Sequence, residues 1–250
     1  MIILKSKREL ALMRKAGRVV AAALAAVEAA VAPGVKTVQL DRVAAAEIAR
    51  LGAQPAFLGY HGFPASICTS VNDEVVHGVP GERVLEEGDI ISIDIGAYLA
   101  GFYGDAAVTL PVGEVGPGAQ HLIGVTRIAL ARGIAAAVPG NRLSDIGHAV
   151  QAYVEAEGCA VVREYVGHGI GRQMHEPLQV PNFGPAGQGA LLKAGLTLAI
   201  EPMVNLGGAP VTVDPVDGWT VRTADGTLSA HFEHTIAVTD DGPEVLTRAD

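Results

Sequence analysis

Two long segments of this chain repeat each other. VVAAALAAVEAAVAPG (Val19 to Gly34) and VTRIALARGIAAAVPG (Val125 to Gly140) lie 106 residues apart, and both end in Pro-Gly. Each is an apolar, alanine-rich tract without internal proline. Each is expected as a helix closed by its Pro-Gly, because proline cannot continue a helix and glycine turns the chain. A second helix is expected in each half, from a Thr37 cap towards Gly52 and from a Ser144 cap towards Gly158. A repeat of this length constrains the fold to two related halves, about 1–115 and 116–250. No stretch between them is rich enough in serine, proline or charge to act as a linker, so residues 1–250 are expected as one α/β (α+β) catalytic domain.

The more informative echo concerns acids. Leu85-Glu-Glu-Gly88-Asp-Ile-Ile-Ser-Ile-Asp94 overlies Leu192-Lys-Ala-Gly195-Leu-Thr-Leu-Ala-Ile-Glu201 at an offset of 107. Each half has a glycine, a mostly apolar strand and then a carboxylate. Strands this apolar are buried, and a buried ionised carboxylate is costly unless it is paired or coordinates a metal. A second acid follows on a later strand in each half: Asp105 in Gly-Asp-Ala-Ala-Val-Thr-Leu, and Glu233 in Phe-Glu-His-Thr-Ile-Ala-Val. A pseudo-twofold arrangement brings all four to one centre.

Bulk composition narrows the partners. A net charge of −9, with no basic run, argues against nucleic acid, whose binding rests on clustered lysine and arginine. Two cysteines, Cys68 and Cys159, make neither a disulfide scaffold nor a CxxC zinc site, and fit a reducing cytoplasm. The basic residues from Lys5 to Arg18, the apolar Val19–Val27 and Ala30-Val31-Ala32 resemble a secretion signal. Glu28 interrupts that tract, however, and its repeat later in the chain cannot be a signal. No apolar run reaches the ~18 residues of a membrane span, so no membrane partner is expected.

Four converging carboxylates repel one another unless cations balance them. An oxygen-rich site with one or two imidazoles suits hard to borderline divalent ions, and two ions about 3.5–4 Å apart can share carboxylates and a bridging water, the expected nucleophile. The imidazole ligand is expected from Val166-Gly167-His168-Gly169-Ile170-Gly171, whose glycines let the backbone approach the metals. His175 follows seven residues on, and His77 stands on the loop before the first acidic strand. His121 and His148 are expected on helices, and His234 pointing away from the face of Glu233. His231 shares that face, which leaves open a place near the site, but a hydrogen-bonded structural residue is the expected reading.

Together, His77-Gly-Val-Pro, Ser92-Ile-Asp94-Ile-Gly, Gly104-Asp105, Gly167-His168-Gly-Ile-Gly, His175-Glu, Ile200-Glu201-Pro-Met and Ser229-Ala-His-Phe-Glu233-His-Thr resemble type I methionine aminopeptidases in order and spacing. Ala16-Gly17-Arg18 and Asp217-Gly-Trp219-Thr-Val match as well. The resemblance implies the pita-bread fold, with two pseudosymmetric halves around a dinuclear centre of Mn, Fe(II), Co or Zn. It implies removal of the initiator methionine from peptides and nascent proteins with a small second residue. In that pattern Asp94 binds one metal, His168 and Glu201 the other, and Asp105 and Glu233 bridge both. Glu201 is the general base for a metal-bridging hydroxide, while His77 and His175 contact the scissile amide. Tyr60, Phe63, Cys68, Met174 and Trp219, with His77 and His175, form the substrate pocket. The implied setting is a cytoplasmic monomer with transient ribosome contact.

Four positions depart from the family pattern. Phe57 stands where some relatives have cysteine, and Met174 where phenylalanine is usual. Ala106-Ala107-Val108-Thr109 replaces Thr/Ser-x-Arg-Thr, and His231 replaces a frequent glutamine. Two rivals remain open at this level. One is a prolyl aminopeptidase or dipeptidase sharing the five ligands, although those usually carry an additional N-terminal domain. The other is a binding protein that has lost catalysis, a class expected to lack metal ligands.

Overall fold

A computed structural model describes residues 2–248. Four helices, α1 (Lys7–Glu28), α2 (Thr37–Arg50), α3 (Pro117–Ala136) and α4 (Leu143–Ala156), come as two pairs, each followed by antiparallel strands. Helix α1 opens on a reciprocal cap: the Ser6 hydroxyl accepts from Glu9 N, and the Glu9 carboxylate accepts from Ser6 N at 2.9 Å. Its Leu10, Met13, Gly17, Val20, Ala23 and Val27 form a buried stripe at helical spacing.

The helix ends differ from the sequence expectation. Helices α1 and α3 stop at Glu28 and Ala136, before Pro33-Gly34 and Pro139-Gly140. These Pro-Gly turns instead deliver the chain to the loop ahead of each acidic strand. Gly34 N donates to Leu85 O, and Gly140 N to Leu192 O, at 2.7 and 3.2 Å. Thr37 and Ser144 are not caps either. The N-caps are Lys36 and Arg142, whose backbone N–H groups donate to Gln39 Oε1 and Asp145 Oδ2. The Thr37 hydroxyl accepts from Gly81 N at 2.8 Å and the Ser144 hydroxyl from Gln188 N at 2.7 Å. Each thus ties its helix to the same loop in its own half. Gly52 and Gly158 follow α2 and α4 with φ of 73° and 77°, the left-handed conformation that ends a helix.

The first half builds a sheet in which Ile90–Leu99 pairs with Cys68–Val71, Phe102–Pro111 and Gln54–Pro55. In the second, Gly242–Val245, His234–Thr239, Thr197–Ile200, Gly167–Gly169 and Glu176–Val180 lie side by side in that order. The first core, under α1 and α2, is built on Ile91, Ile93, Ile95, Leu40 and Ile48. Leu198, Ile200, Ile236 and Ile146 fill the corresponding place in the second.

The halves join where Ala107 and Glu233 exchange backbone hydrogen bonds of 3.3 and 2.9 Å. On either side, threonine hydroxyls replace the ladder. Thr235 Oγ1 accepts from Asp105 N and donates to Asp105 O, while Thr109 Oγ1 accepts from His231 N and donates to His231 O. This seam sets Asp105 and Glu233 at the centre of the molecule. Helix α1 crosses it at Gly17, where a Cβ would lie 2.1 Å from the Leu246 carbonyl oxygen. No described helix is long and apolar enough to cross a membrane.

Candidate active site

The four acids reach one cavity by strand register. Asp94 sits opposite Ala107, and Asp105 opposite Gly96, so the two aspartates are diagonal neighbours on one face of the first sheet. Cys68 pairs directly with Asp94 from the other side. From the second half, Glu201 leaves the end of Thr197–Ile200 and Glu233 directly precedes His234–Thr239, whose His234 pairs with Ile200. His168 is paired with Ala199 in the same sheet.

His168 is held by its neighbours. Its Nδ1 lies 2.9 Å from Gly169 O, an acceptor, so Nδ1 carries the hydrogen and Nε2 presents a lone pair. That Nε2 lies 3.5 Å from Glu201 Oε1 and 3.8 Å from Asp105 Oδ2. The flanking glycines have a different cause from the close metal approach expected of them. A Cβ on Gly167 would meet the Ala199 carbonyl oxygen at 2.4 Å, and one on Gly171 the Lys5 side chain. They admit a neighbouring strand and a buried ion pair between Lys5 and Glu176.

Burial raises every acid of the cluster, and repulsion from neighbouring carboxylates adds to it at Asp105, Glu201 and Glu233. Asp94 is pushed up to about 7, mainly by burial. Asp105 rises well above the usual carboxylate range through burial and then the charges of Glu233 and Asp94. Glu201 rises through burial and the charges of Asp105 and Asp94, and Glu233 through burial and those of Glu201 and Asp94. Burial also keeps the histidines neutral: His77 is pushed down to about 4, His168 and His231 to about 3. One buried oxygen each of Asp94, Asp105 and Glu233 has no hydrogen-bond partner among the described residues. Unpartnered carboxylate oxygens converging on an imidazole lone pair fit divalent cations, which neutralise the acids and occupy the free lone pairs. Two groups of three, Asp105–His168–Glu233 and Glu201–His231–Glu233, have ligand atoms within 4.8 Å of one another.

The cavity over the cluster has a volume of about 430 Å³. All twelve residues named from the sequence line it: the five acid and imidazole ligands, His77, His175, Tyr60, Phe63, Cys68, Met174 and Trp219. Tyr60 Oη lies 2.8 Å from His175 Nδ1, and the His175 ring lies 4.1 Å from that of His168. Phe63 meets Trp219 edge-on at 5.2 Å. His77 adopts φ 60°, left-handed and uncommon outside glycine. It is held there by Gly78, whose Cβ would strike the Thr69 carbonyl oxygen at 2.1 Å. The sequence reading missed Val76, Tyr165 and Met203, which also line the cavity. Adjacency to the His77, His168 and Glu201 motifs was the available signal. His231 corrects an expectation: its Nε2 has no hydrogen-bond partner among the described residues and lies 3.9 Å from Glu201 Oε2. His234 does turn away, to Thr247 Oγ1 at 3.0 Å.

The sequence pattern of metallopeptidase family M24 matches residues 11–240, across both halves and every residue of the cluster. The chain belongs to metallopeptidase family M24. This M24 chain is 53% identical over 248 residues to methionine aminopeptidase 1 of Bacillus subtilis (strain 168), covering 99% of this chain and 100% of that protein. A solved methionine aminopeptidase from Thermotoga maritima superposes with a TM-score of 0.98 at 47% identity, covering 100% of both chains. The prolidase of Pyrococcus horikoshii OT3 shares the fold at a TM-score of 0.80 and 22% identity, with all of this chain matching 65% of that one. The architecture is therefore the pita-bread fold of M24 metallopeptidases, and the family implies divalent metal at the acidic cluster.

Proposed function

We propose that this M24 metallopeptidase is an aminopeptidase that releases methionine from the N-terminus of peptides and nascent proteins whose second residue is small. Residues 1–250 act as one catalytic unit, since the acids come from both halves. The observation that carries this reading is a shared cavity: the acidic cluster and an apolar pocket of Tyr60, Phe63, Cys68, Met174 and Trp219 occupy the same enclosure of about 430 Å³. Such a pocket accepts an unbranched thioether. The full-length similarity to methionine aminopeptidases supports the same substrate.

Asp94, Asp105, His168, Glu201 and Glu233 are the proposed ligands of two divalent ions, with Mn, Fe(II), Co and Zn all compatible with this donor set. When bound, such ions lower the pKa of water from 15.7 to about 7 and so supply a nucleophile at neutral pH. Glu201 takes the proton from the attacking water and passes it towards the leaving amine. Tyr60 donates to His175 Nδ1, which leaves the Nε2 hydrogen free for the substrate carbonyl as charge develops there. His77, neutral and fixed at φ 60°, also contacts the scissile amide. The proposed setting is a monomer in the cytoplasm meeting chains as they leave the ribosome, in keeping with Cys68 and Cys159, both free and buried.

A substrate comparison tests the reading. Metal-loaded protein is expected to release methionine from Met-Ala-Ser and nothing from N-acetylated Met-Ala-Ser or from Ala-Pro-Ser. Preferential cleavage of Ala-Pro-Ser would move the chain to the prolyl branch of the fold. Cleavage of the acetylated peptide would refute an exopeptidase.

A further inference from the structure

We infer that His231 is a sixth metal-binding side chain, which joins Glu201 and Glu233 around one ion of the centre. The inference rests on the metal centre proposed above and adds a ligand to it. Three observations carry it. First, His231 Nε2, one carboxylate oxygen of Glu201 and one of Glu233 lie within 4.8 Å of one another, close enough for one ion to touch all three. Second, His231 is 1% exposed, and its Nε2 has no hydrogen-bond partner among the described residues. Glu201 Oε2, at 3.9 Å, is too distant to accept a hydrogen bond from it. A buried ring nitrogen aimed at two carboxylates is satisfied by a cation between them.

Third, the ring is held in place through its backbone. Met203 pairs with His231 across a strand ladder, and Thr109 Oγ1 lies 2.8 Å from both the N–H and the carbonyl of His231. Thr109 is itself 2.8 Å from Ser92 Oγ, on the strand that carries Asp94. The residue stands two positions before Glu233, and both side chains line the cavity. With His168 Nε2 only 3.5 Å from Glu201 Oε1, two imidazoles converge on one carboxylate. His168 belongs to the other three-residue group, with Asp105 and Glu233, so each group carries one imidazole. One imidazole in each position suits Zn, Co or Fe(II) at both.

Zinc X-ray absorption spectroscopy on the full chain at two equivalents of zinc tests this directly, because multiple scattering from imidazole rings counts bound histidines. An average of one imidazole per zinc is expected in the unaltered protein, and about half of that in His231→Gln and in His168→Gln. Chelator competition should show one zinc held more than about tenfold more weakly in His231→Gln, and circular dichroism checks that the variant is folded. His231→Asn serves if the glutamine variant does not fold. An average of about half an imidazole per zinc in the unaltered protein, retained in His231→Gln and lost in His168→Gln, would overturn the inference while leaving the metal centre intact. No imidazole in the unaltered protein would overturn both.

Discussion

Burial holds Asp94 at about 7 in the metal-free fold, so at neutral pH this carboxyl still carries a proton for a substantial part of the time. An unfolded aspartate titrates near 3.9. The folded chain thus binds more protons than the unfolded one between roughly pH 4 and 7, and Asp94 costs stability progressively as pH rises through that window. The histidines work in the opposite sense. His77, pushed down to about 4, costs stability as pH falls below about 6.5, where the unfolded imidazole gains a proton that the folded one does not. Cations at the cluster reverse the penalty on the acids. Metal binding at pH 6 to 7 is therefore expected to release protons and to tighten as pH rises. Calorimetry in two buffers of different ionisation enthalpy reads this directly, and no net proton release would count against the buried acids. Glu201→Gln is nearly isosteric, removes a base and weakens a ligand. It is expected to lower kcat by about 10²–10⁴-fold with an unchanged far-ultraviolet spectrum; a variant as active as the parent would remove Glu201 from its role. Asp94 was legible in sequence because apolar and small residues run up to it, although the strand continues past it to Leu99. His231 was not, because its orphaned Nε2 is visible only once folding sets it beside Glu201, thirty residues earlier in the chain.

At the scale of elements, the repeat was visible as two alanine-rich helices and two acidic strands, but their joints were not. Thr37 and Ser144 look like caps because threonine and serine favour that place. Their hydroxyls are instead taken by Gly81 and Gln188, each 44 residues further along its own half. Local propensity carries no information about a partner that distant, whereas the pairing itself repeats faithfully between the halves. Pro33-Gly34 and Pro139-Gly140 were misread for the same reason: the turns serve Leu85 and Leu192, not the helices before them. Gly17 shows an element held by close approach. Its Cα faces the Leu246 carbonyl on one side, and a Cβ on Gly104 would lie 3.0 Å from Gly17 N on the other. Gly17→Ala is expected to force α1 outward and cost about 1–3 kcal/mol, even though alanine favours helix. Urea unfolding measures this, and an unchanged or raised midpoint would show that the seam is looser than drawn.

The whole molecule follows from one arrangement. Two halves, each presenting one acid on its sheet and a second at the seam, close over a cavity that neither builds alone. His168, Glu201 and Glu233 come from one half and Asp94 and Asp105 from the other, while both contribute to the apolar wall, Tyr60, Phe63 and Cys68 from the first and Met174, Met203 and Trp219 from the second. The cavity of about 430 Å³ takes the first residue, and the second is expected at its mouth, where its size decides access. Met-Ala-Ser is expected to exceed Met-Leu-Ser in kcat/KM by at least about tenfold, and equal values would mean an open cleft. The side of the pocket where Phe57 and Met174 meet Gly96 was the least legible in sequence. There a Cβ on Gly96 would lie 2.6 Å from Phe57 and 3.2 Å from Met174, a fit set by three segments at once. The central claim is that these converging acids form a metal centre that cuts after an N-terminal methionine. The most direct test strips the protein of metal, returns one divalent ion at a time, and measures free methionine from Met-Ala-Ser against metal bound per chain. The account predicts no release from the stripped protein and release that rises with bound metal. Undiminished release without metal, or none from the fully loaded protein, would contradict it.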